Sequence, residues 1–254
     1  VCIVTNEGNG RMSTTMPRVL VSLVGIEKIV PRLSDLSVML KLLARSSTAI
    51  EMSVYTSLFG AARRQGERDG PEQFHLVLLD NGRTDILAGE YREILKCIRC
   101  GSCLNACPVF RKIGGQSYGS IYSGPVGAVL TPLMQGLGNF AHLPHASSLC
   151  GACGEACPVK IDLPRMLLNL RRDMVQQRVT GWLARTVFGL WGWMLKSPRL
   201  YRWMGRLQRW RLRRRAKDGW ISRLPRAGRG WTEVRDFPAP ARKSFGQLWA
   251  KRPK

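Results

Sequence analysis

Tryptophan is absent from the first 181 residues of this chain and cysteine from the last 97. Acidic residues are scarce in the tail: residues 178–254 hold 3 of the 17 Asp and Glu, against 21 of the 40 Lys and Arg and all eight Trp. The formal charge of +23 therefore describes the tail, because residues 1–96 carry 12 basic and 11 acidic side chains and residues 97–177 carry 7 and 3. No apolar run reaches the roughly eighteen residues of a membrane-spanning helix, and no hydrophobic leader is visible. The chain opens on Val1 rather than Met, and VCIVT already reads as a strand inside a fold, so an N-terminal part is expected to precede it. At 254 residues the chain can build one large or two small cores.

Residues 1–90 alternate strand and helix signals, the signature of an α/β domain. VCIVT is a strand ended by the turn NEGNG (Asn6 to Gly10), VLVSLVG (Val19 to Gly25) is a buried-strand candidate, and IEKIVP is a short extended piece. Ser34 or Asp35 is placed to cap a helix whose face carries Leu36, Met39, Leu40 and Leu43. AIEMSVYT reads as a strand, and FHLVLLDNGRTDIL as a strand, a turn and a second short strand. AGEYREILKC then begins a helix that runs into the first cysteine. After the cysteine motifs, Asp162 caps a helix with Pro164 in its first turn and Leu163, Met166, Leu167, Leu170 and Met174 as its apolar stripe. Residues 181–215 read as two helices broken at Ser197-Pro198, the first with Leu183, Val187, Leu190 and Met194 at helical spacing, the second with Trp203 and Trp210 among Arg. From Asp218 onward loops or disorder are expected.

Seven of the eight cysteines fall in two tight groups, a spacing that suits metal ligation in a reducing compartment rather than a disulfide framework. Cys2 stands apart and reads as a buried strand residue. The first group, CIRCGSCLNACP, places Cys97, Cys100, Cys103 and Cys107 before Pro108, the spacing of bacterial ferredoxins. Three thiolates two residues apart on a tight turn wrap one face of a cubane. Gly101 lets backbone N–H groups approach the sulfurs. The fourth cysteine lies too far round to close the same cluster and serves the other one. The second group, CGACGEACP, holds Cys150, Cys153 and Cys157 before Pro158, with Ser147 where a leading cysteine would stand. Crossed ligation then gives Cys97, Cys100, Cys103 and Cys157 to one cluster, and Cys107, Cys150 and Cys153 to the other, one ligand short. Two 4Fe-4S clusters are expected. The second is either a three-iron cluster or a four-iron cluster whose last iron takes water, Ser147 or another side chain. Structural zinc uses paired CxxC motifs without this Pro-terminated run, and thioredoxin chemistry needs a single CxxC after a strand.

The runs KCIRCGSCLNACPVFRKIGGQSYGSIYSGPVGAVLTPL and SSLCGACGEACPVKI closely resemble the lactate-utilisation protein B family, and VTNEGNGRMSTTMPRVLVSLVGIEKIVP resembles that family's LUD domain. The SYGSIYSGP connector gives the resemblance its specificity, and Ser147 also looks like the family's pattern. The resemblance implies the C-terminal part of a LUD α/β domain (of the NagB/RpiA/CoA-transferase-like class) over 1–90, an α-helical two-cluster ferredoxin-type domain over 91–177, and a basic, partly disordered helical tail over 178–254. It further implies a cytosolic complex oxidising L-lactate to pyruvate, in which this chain carries electrons beside a cysteine-rich subunit and a LUD-only subunit. The catalytic centre would lie in a partner.

Other polar residues have plainer readings. Glu7 invites comparison with a catalytic glutamate of CoA-transferases, but NEGNG is sufficiently explained as a tight turn. His142 and His145 precede the second motif and read as solvated loop residues, and Tyr118 and Tyr122 as packing residues. The tail could hold a partner subunit, lie on an anionic membrane surface at the inner face, or bind nucleic acid. The last is disfavoured because no nucleic-acid fold signature is present. Three function classes remain distinct: an electron-transfer subunit, which is preferred; a ligand-binding enzyme built on the LUD part with structural or regulatory clusters; and an iron–sulfur nucleic-acid-binding protein.

Overall fold

The structure is a computed structural model describing residues 1–252. Residues 1–180 and 181–254 form two separate compact units. The first begins with β1 (Cys2–Thr5), α1 (Gly8–Thr15), β2 (Val19–Gly25), α2 (Leu33–Thr48), β3 (Tyr55–Leu58), β4 (Gln73–Leu79) and α3 (Arg83–Ala88). β1 and β3 pair antiparallel with Cys2 opposite Leu58, and β2 and β4 pair parallel with Val19 opposite Gln73. A parallel pair needs a long crossover, and α2 lies in it. Leu36, Met39, Leu40 and Leu43 line one cavity together, as their shared helix face requires.

Several local readings change. NEGNG is not a turn throughout, because Gly8 opens α1 and the Asn9 carbonyl accepts the Ser13 hydroxyl inside the helix. β2 is a strand but not a buried one: Val19, Val21 and Leu23 are exposed on the open face of a two-stranded ladder. Cys2 is half-buried rather than buried, for β1 too has a single partner. α2 starts at Leu33 with Arg32 as its cap, so neither Ser34 nor Asp35 caps it. The strand expected across AIEMSVYT shrinks to its end, because Ala49 takes a left-handed conformation (φ 59°) that closes α2. The segment after the DNG turn is a helix: the Asp80 carboxylate accepts from the Thr84 and Gly82 backbone N–H groups at 2.9 and 3.1 Å and starts α3 where a strand was expected. Before the first cysteine only a 3₁₀ turn, Arg92–Lys96, forms. It is pinned from outside, by the Tyr91 hydroxyl donating to Asp173 and by the buried Ile94.

The rest of this unit is helical: α4 (Ser102–Ala106), α5 (Phe110–Ile113), α6 (Gly124–Gln135), α7 (Ala152–Glu155) and α8 (Leu163–Gln176). α8 is as expected, with the Asp162 side chain accepting from the Arg165 N–H and all five stripe residues buried. Each buried Leu or Met contributes roughly 1.5–3 kcal/mol. The Gly/Ser/Pro-rich connector contains a helix that periodicity did not reveal, because α6 is buried from Gly124 through Pro132. Gly127 permits this: a Cβ there would lie 2.0 Å from the Tyr122 carbonyl oxygen.

The second unit holds α9 (Trp182–Lys196) and α10 (Pro198–Arg215), with Ser197 capping α10 through the Leu200 N–H. Beyond Asp218 short elements replace uninterrupted loop, namely a ladder of Trp220–Ile221 with Phe237–Pro238 and a helix at Phe245–Trp249. The last two residues of the expected tail lie outside the described residues.

A charge cluster joins the α/β part to the first cysteine motif. Glu27 and Arg83, with side chains 5% and 6% exposed, pair at 2.5 Å, and Lys28 and Arg99 stand 4.0 and 3.9 Å from the Glu27 carboxylate. The Lys28 ammonium also donates to the Cys97 carbonyl. Burial and the neighbouring Arg99 hold the Lys28 pKa below its ordinary value. One carboxylate thus compensates three cations in a low-dielectric setting. Removing it leaves them uncompensated, so Glu27→Ala should cost about 3–5 kcal/mol. Urea unfolding measures this, and an unchanged midpoint would show that the cluster is dispensable.

Candidate iron–sulfur centres

The two cysteine motifs adopt the same local backbone. Arg99 and Leu149 are left-handed (φ 61° and 56°), as are Gly101 and Gly151 (φ 81° and 88°), on either side of Cys100 and Cys150. Short helices α4 and α7 follow, carrying Cys103 and Cys153, and each is left at Cys107 or Cys157 before proline. The Arg99 N–H donates to the Cys97 sulfur at 3.4 Å, and the Leu149 N–H donates to the Ser147 hydroxyl oxygen at 3.1 Å. Ser147 therefore occupies in the second motif the place that Cys97 occupies in the first.

Cys97, Cys100, Cys103 and Cys157 line a single cavity of about 290 Å³, bounded by apolar side chains such as Leu104, Val126 and Ile161. Burial pushes the Cys103 thiol up to about 12, opposed by an N–H from Val126 and reinforced by Cys97, Cys100 and Cys153. The Cys153 thiol is likewise raised by burial, with added contributions from the Cys107 and Cys150 charges. Cys107, at the end of α4, and Cys150 and Cys153, at the start of α7, flank two helices that pack on each other, and Cys103 and Cys153 share the hydrophobic core, so the three form a second neighbourhood adjoining the first. Its ligands are unevenly placed: Cys107 and Cys153 are buried, while Cys150 is exposed. Backbone N–H groups reach the sulfurs of the two crossing cysteines, from Phe110 to Cys107 and from Ile161 to Cys157, each at 3.4 Å. Such donors offset the negative charge of a bound cluster.

Iron–sulfur clusters suit this donor set. Soft thiolates are the right ligands, and a metal holds them deprotonated despite burial. Among the described residues, two buried side-chain polar atoms have no hydrogen-bond partner: Arg99 Nη1 and Tyr118 Oη. Both belong to residues near the cysteines, Arg99 lining the first cavity and Tyr118 feeling the Cys107 and Cys103 charges. Unpaired buried donors cost about 1–3 kcal/mol each. Cluster sulfur would supply acceptors. Arg99 is the functional candidate that sequence reading passed over, although its place between Cys97 and Cys100 was a signal. Its guanidinium is packed 4.2 Å over the Tyr122 ring. Tyr118 sits in the core with the cysteines, whereas His142 and His145 are exposed, as is Glu7 at the end of β1.

Models of three families match in succession: the LUD domain over residues 1–79, the 4Fe-4S dicluster domain over 93–161, and the C-terminal domain of lactate utilisation protein B over 173–254. Lactate utilization protein B of Bacillus licheniformis is 44% identical over 258 residues, covering 100% of this chain and 54% of that protein. The protein of the same name from Bacillus subtilis is 44% identical over 256 residues, covering 99% and 53%. That of Shouchella clausii is 43% identical over 254 residues, covering 100% and 54%. The chain thus spans about half the length of the curated relatives it matches. No solved structure matches.

Two tests follow from the geometry. Cys97→Ser and Cys157→Ser should damage one and the same cluster, and Cys107→Ser the other, read by iron content and electron paramagnetic resonance of anaerobic protein. Damage to different clusters by the first two would refute crossed ligation. Oxygen is a harder ligand than thiolate, so iron facing Ser147 should be the one lost in air. Air-exposed wild type should then show a three-iron signal that Ser147→Cys abolishes. The same signal in that variant would remove Ser147 from the site.

Proposed function

On the premise that the chain resembles the lactate utilization protein B family from end to end, we propose that it is the iron–sulfur electron-transfer subunit of an oxidoreductase that converts L-lactate to pyruvate. The observation that carries the reading is the convergence of Cys97, Cys100, Cys103 and Cys157 on one cavity beside the group Cys107, Cys150 and Cys153. When bound, clusters there supply one-electron transfer. Oxidation of a 2-hydroxy acid to a 2-oxo acid releases two electrons and two protons. A pair of one-electron centres takes up the electrons singly, while the protons leave at the partner that binds the acid. The chain's own part is to hold the thiolates, exclude water with the apolar cavity wall, and aim N–H donors at sulfur. The partners on this reading are a cysteine-rich subunit, a LUD-only subunit and a dehydrogenase bearing flavin or iron–sulfur, in the cytoplasm.

A second reading has a specific observation in its favour. The α/β part holds a cavity of about 510 Å³, lined by Lys28 and by the α2 face, within the size range of small-molecule sites. On that reading the LUD part, related in fold to CoA-transferases, is a ligand-binding enzyme and the clusters are structural. Anaerobic protein co-purified with its native partners separates the two. Bleaching of the visible absorbance by lactate only in the complex supports electron transfer, and turnover of lactate by this chain alone supports the second reading.

The tail is proposed as the docking surface, for a partner subunit or for the inner face of the membrane. Residues 181–217 contain no Asp or Glu. α9 buries none of its residues, and most of its apolar side chains are exposed, including Trp182, Phe188 and Trp193. No helix among the described residues is long and apolar enough to cross a membrane. Arg214, Arg235 and Arg252 lie over the rings of Trp210, Trp231 and Trp249 at 3.9, 4.1 and 3.7 Å, which leaves fewer free ring faces for stacked bases. Deleting residues 181–254 should leave iron content unchanged and abolish docking. Flotation with anionic vesicles identifies the membrane, and co-purification of subunits without vesicles identifies the partner. Loss of both clusters on deletion would show that the tail completes the cluster domain instead.

A further inference from the structure

Tyr118 is 1% exposed and lies in the hydrophobic core with Cys153 and Cys157. Its ring stands 6.1 Å from that of Phe110, the residue whose backbone N–H donates to the Cys107 sulfur. The ring thus packs beside the turn that wraps Cys107, and its hydroxyl has no hydrogen-bond partner. A phenylalanine would fill the same volume without that penalty. The neighbouring polar groups are otherwise satisfied: Ser120 and Thr131 pair with each other at 2.9 Å, and the Gly119 and Tyr118 N–H groups are bonded within their own turn. Burial raises the Tyr118 pKa, and the Cys107 and then the Cys103 charge raise it further, in keeping with its place in the core that holds Cys153 and packs on Cys103.

We propose that the Tyr118 hydroxyl is a hydrogen-bond donor to sulfur of the centre held by Cys107, Cys150 and Cys153, and that it sets that centre's reduction potential. The inference rests on reading the two motifs as iron–sulfur centres. Reduction adds one electron and therefore negative charge, so a donor aimed at sulfur stabilises the reduced form more than the oxidised form and raises the potential. Tyr118 is a positioning residue of the electron path. The centre it serves lacks a fourth cysteine, and its thiolate Cys150 is exposed. Its other two thiols, Cys107 and Cys153, are buried, so a buried donor can reach sulfur there.

The test compares anaerobic wild type with Tyr118→Phe, using iron and sulfide analysis followed by redox titration with dithionite and ferricyanide under electron paramagnetic resonance. Iron content should be unchanged. One reduction step should move down, by about tenfold in the ratio of reduced to oxidised protein at fixed potential, or about 59 mV. That step should be the one that Ser147→Cys also alters. Because removing a buried hydroxyl could disturb folding, 3-fluorotyrosine installed at position 118 provides a probe of opposite sign: its more acidic hydroxyl donates more strongly and should move the same step up. Unchanged potentials in both variants, or a shift confined to the centre of Cys97, would overturn the proposal with the clusters intact. Protein without iron or sulfide would overturn the cluster reading itself.

Discussion

The cluster domain depends on Cys157 reaching back into the cavity of Cys97, Cys100 and Cys103. A chain that brings the two motifs together in this way has to stack α4 against α7 and fold the intervening segment over the junction. α6 is that segment, buried along most of its length and packed on α8. Its glycines follow from this placement. Gly124 has φ 67° and would place a Cβ 2.7 Å from Leu104, and Gly127 abuts the Tyr122 carbonyl. Side chains at either position would push the connector off the motifs and separate thiols that a cluster must hold together.

The α/β part takes hold of the same loop from outside. Lys28 donates to the Cys97 carbonyl, and the Ser102 hydroxyl donates to the Ser46 carbonyl at 2.6 Å. Arg99 is shared, its guanidinium 3.9 Å from Glu27, stacked on Tyr122, and bordering the cluster cavity. A disturbance of the α/β part that moves Glu27 is therefore felt as a change of charge position beside Cys97 and Cys100. The buried ion pairs earn little net stability for the fold. Their consequence is positional, since a guanidinium fixed near sulfur biases the electrostatics of that centre in a way that a solvated one does not.

The cysteine groups were legible because their chemistry demands close sequence spacing, and α8 because a capped helix with a buried stripe writes its period into Leu163, Met166, Leu167, Leu170 and Met174. The readings that failed depended on partners distant in sequence. α3 was taken for a strand because its Asp80 cap looks like an ordinary turn residue. α6 was missed because a helix buried on nearly all sides has no polar face to mark a period. β2 was expected to be buried because apolar runs signal strands without saying how many neighbours they have. At the site, the thiols were visible in advance, and the donors around them were not. Tyr118 reads as a packing residue, and only its placement in three dimensions shows a buried hydroxyl without a partner in the core that holds the cysteines.

The two cysteine neighbourhoods share a backbone and differ in everything that surrounds it. The first has four thiols in an apolar cavity, with Arg99 fixed at its wall. The second substitutes the Ser147 oxygen for the leading thiol and exposes Cys150, while the Phe110 N–H donates to its Cys107 sulfur. Hydrogen bonds from Ala152 and Ser148 lower the Cys150 pKa, so this thiol gives up its proton more readily than a free cysteine does. It is also the ligand most open to water and oxygen. Duplication of a motif thus need not duplicate its chemistry. Identical backbone turns at Gly101 and Gly151 fix where sulfur goes, while the residues packed behind them decide how firmly iron is held and at what potential it changes charge. Among the described cysteines of the two motifs Cys150 is the exposed one, so the second neighbourhood is the one that reaches solvent.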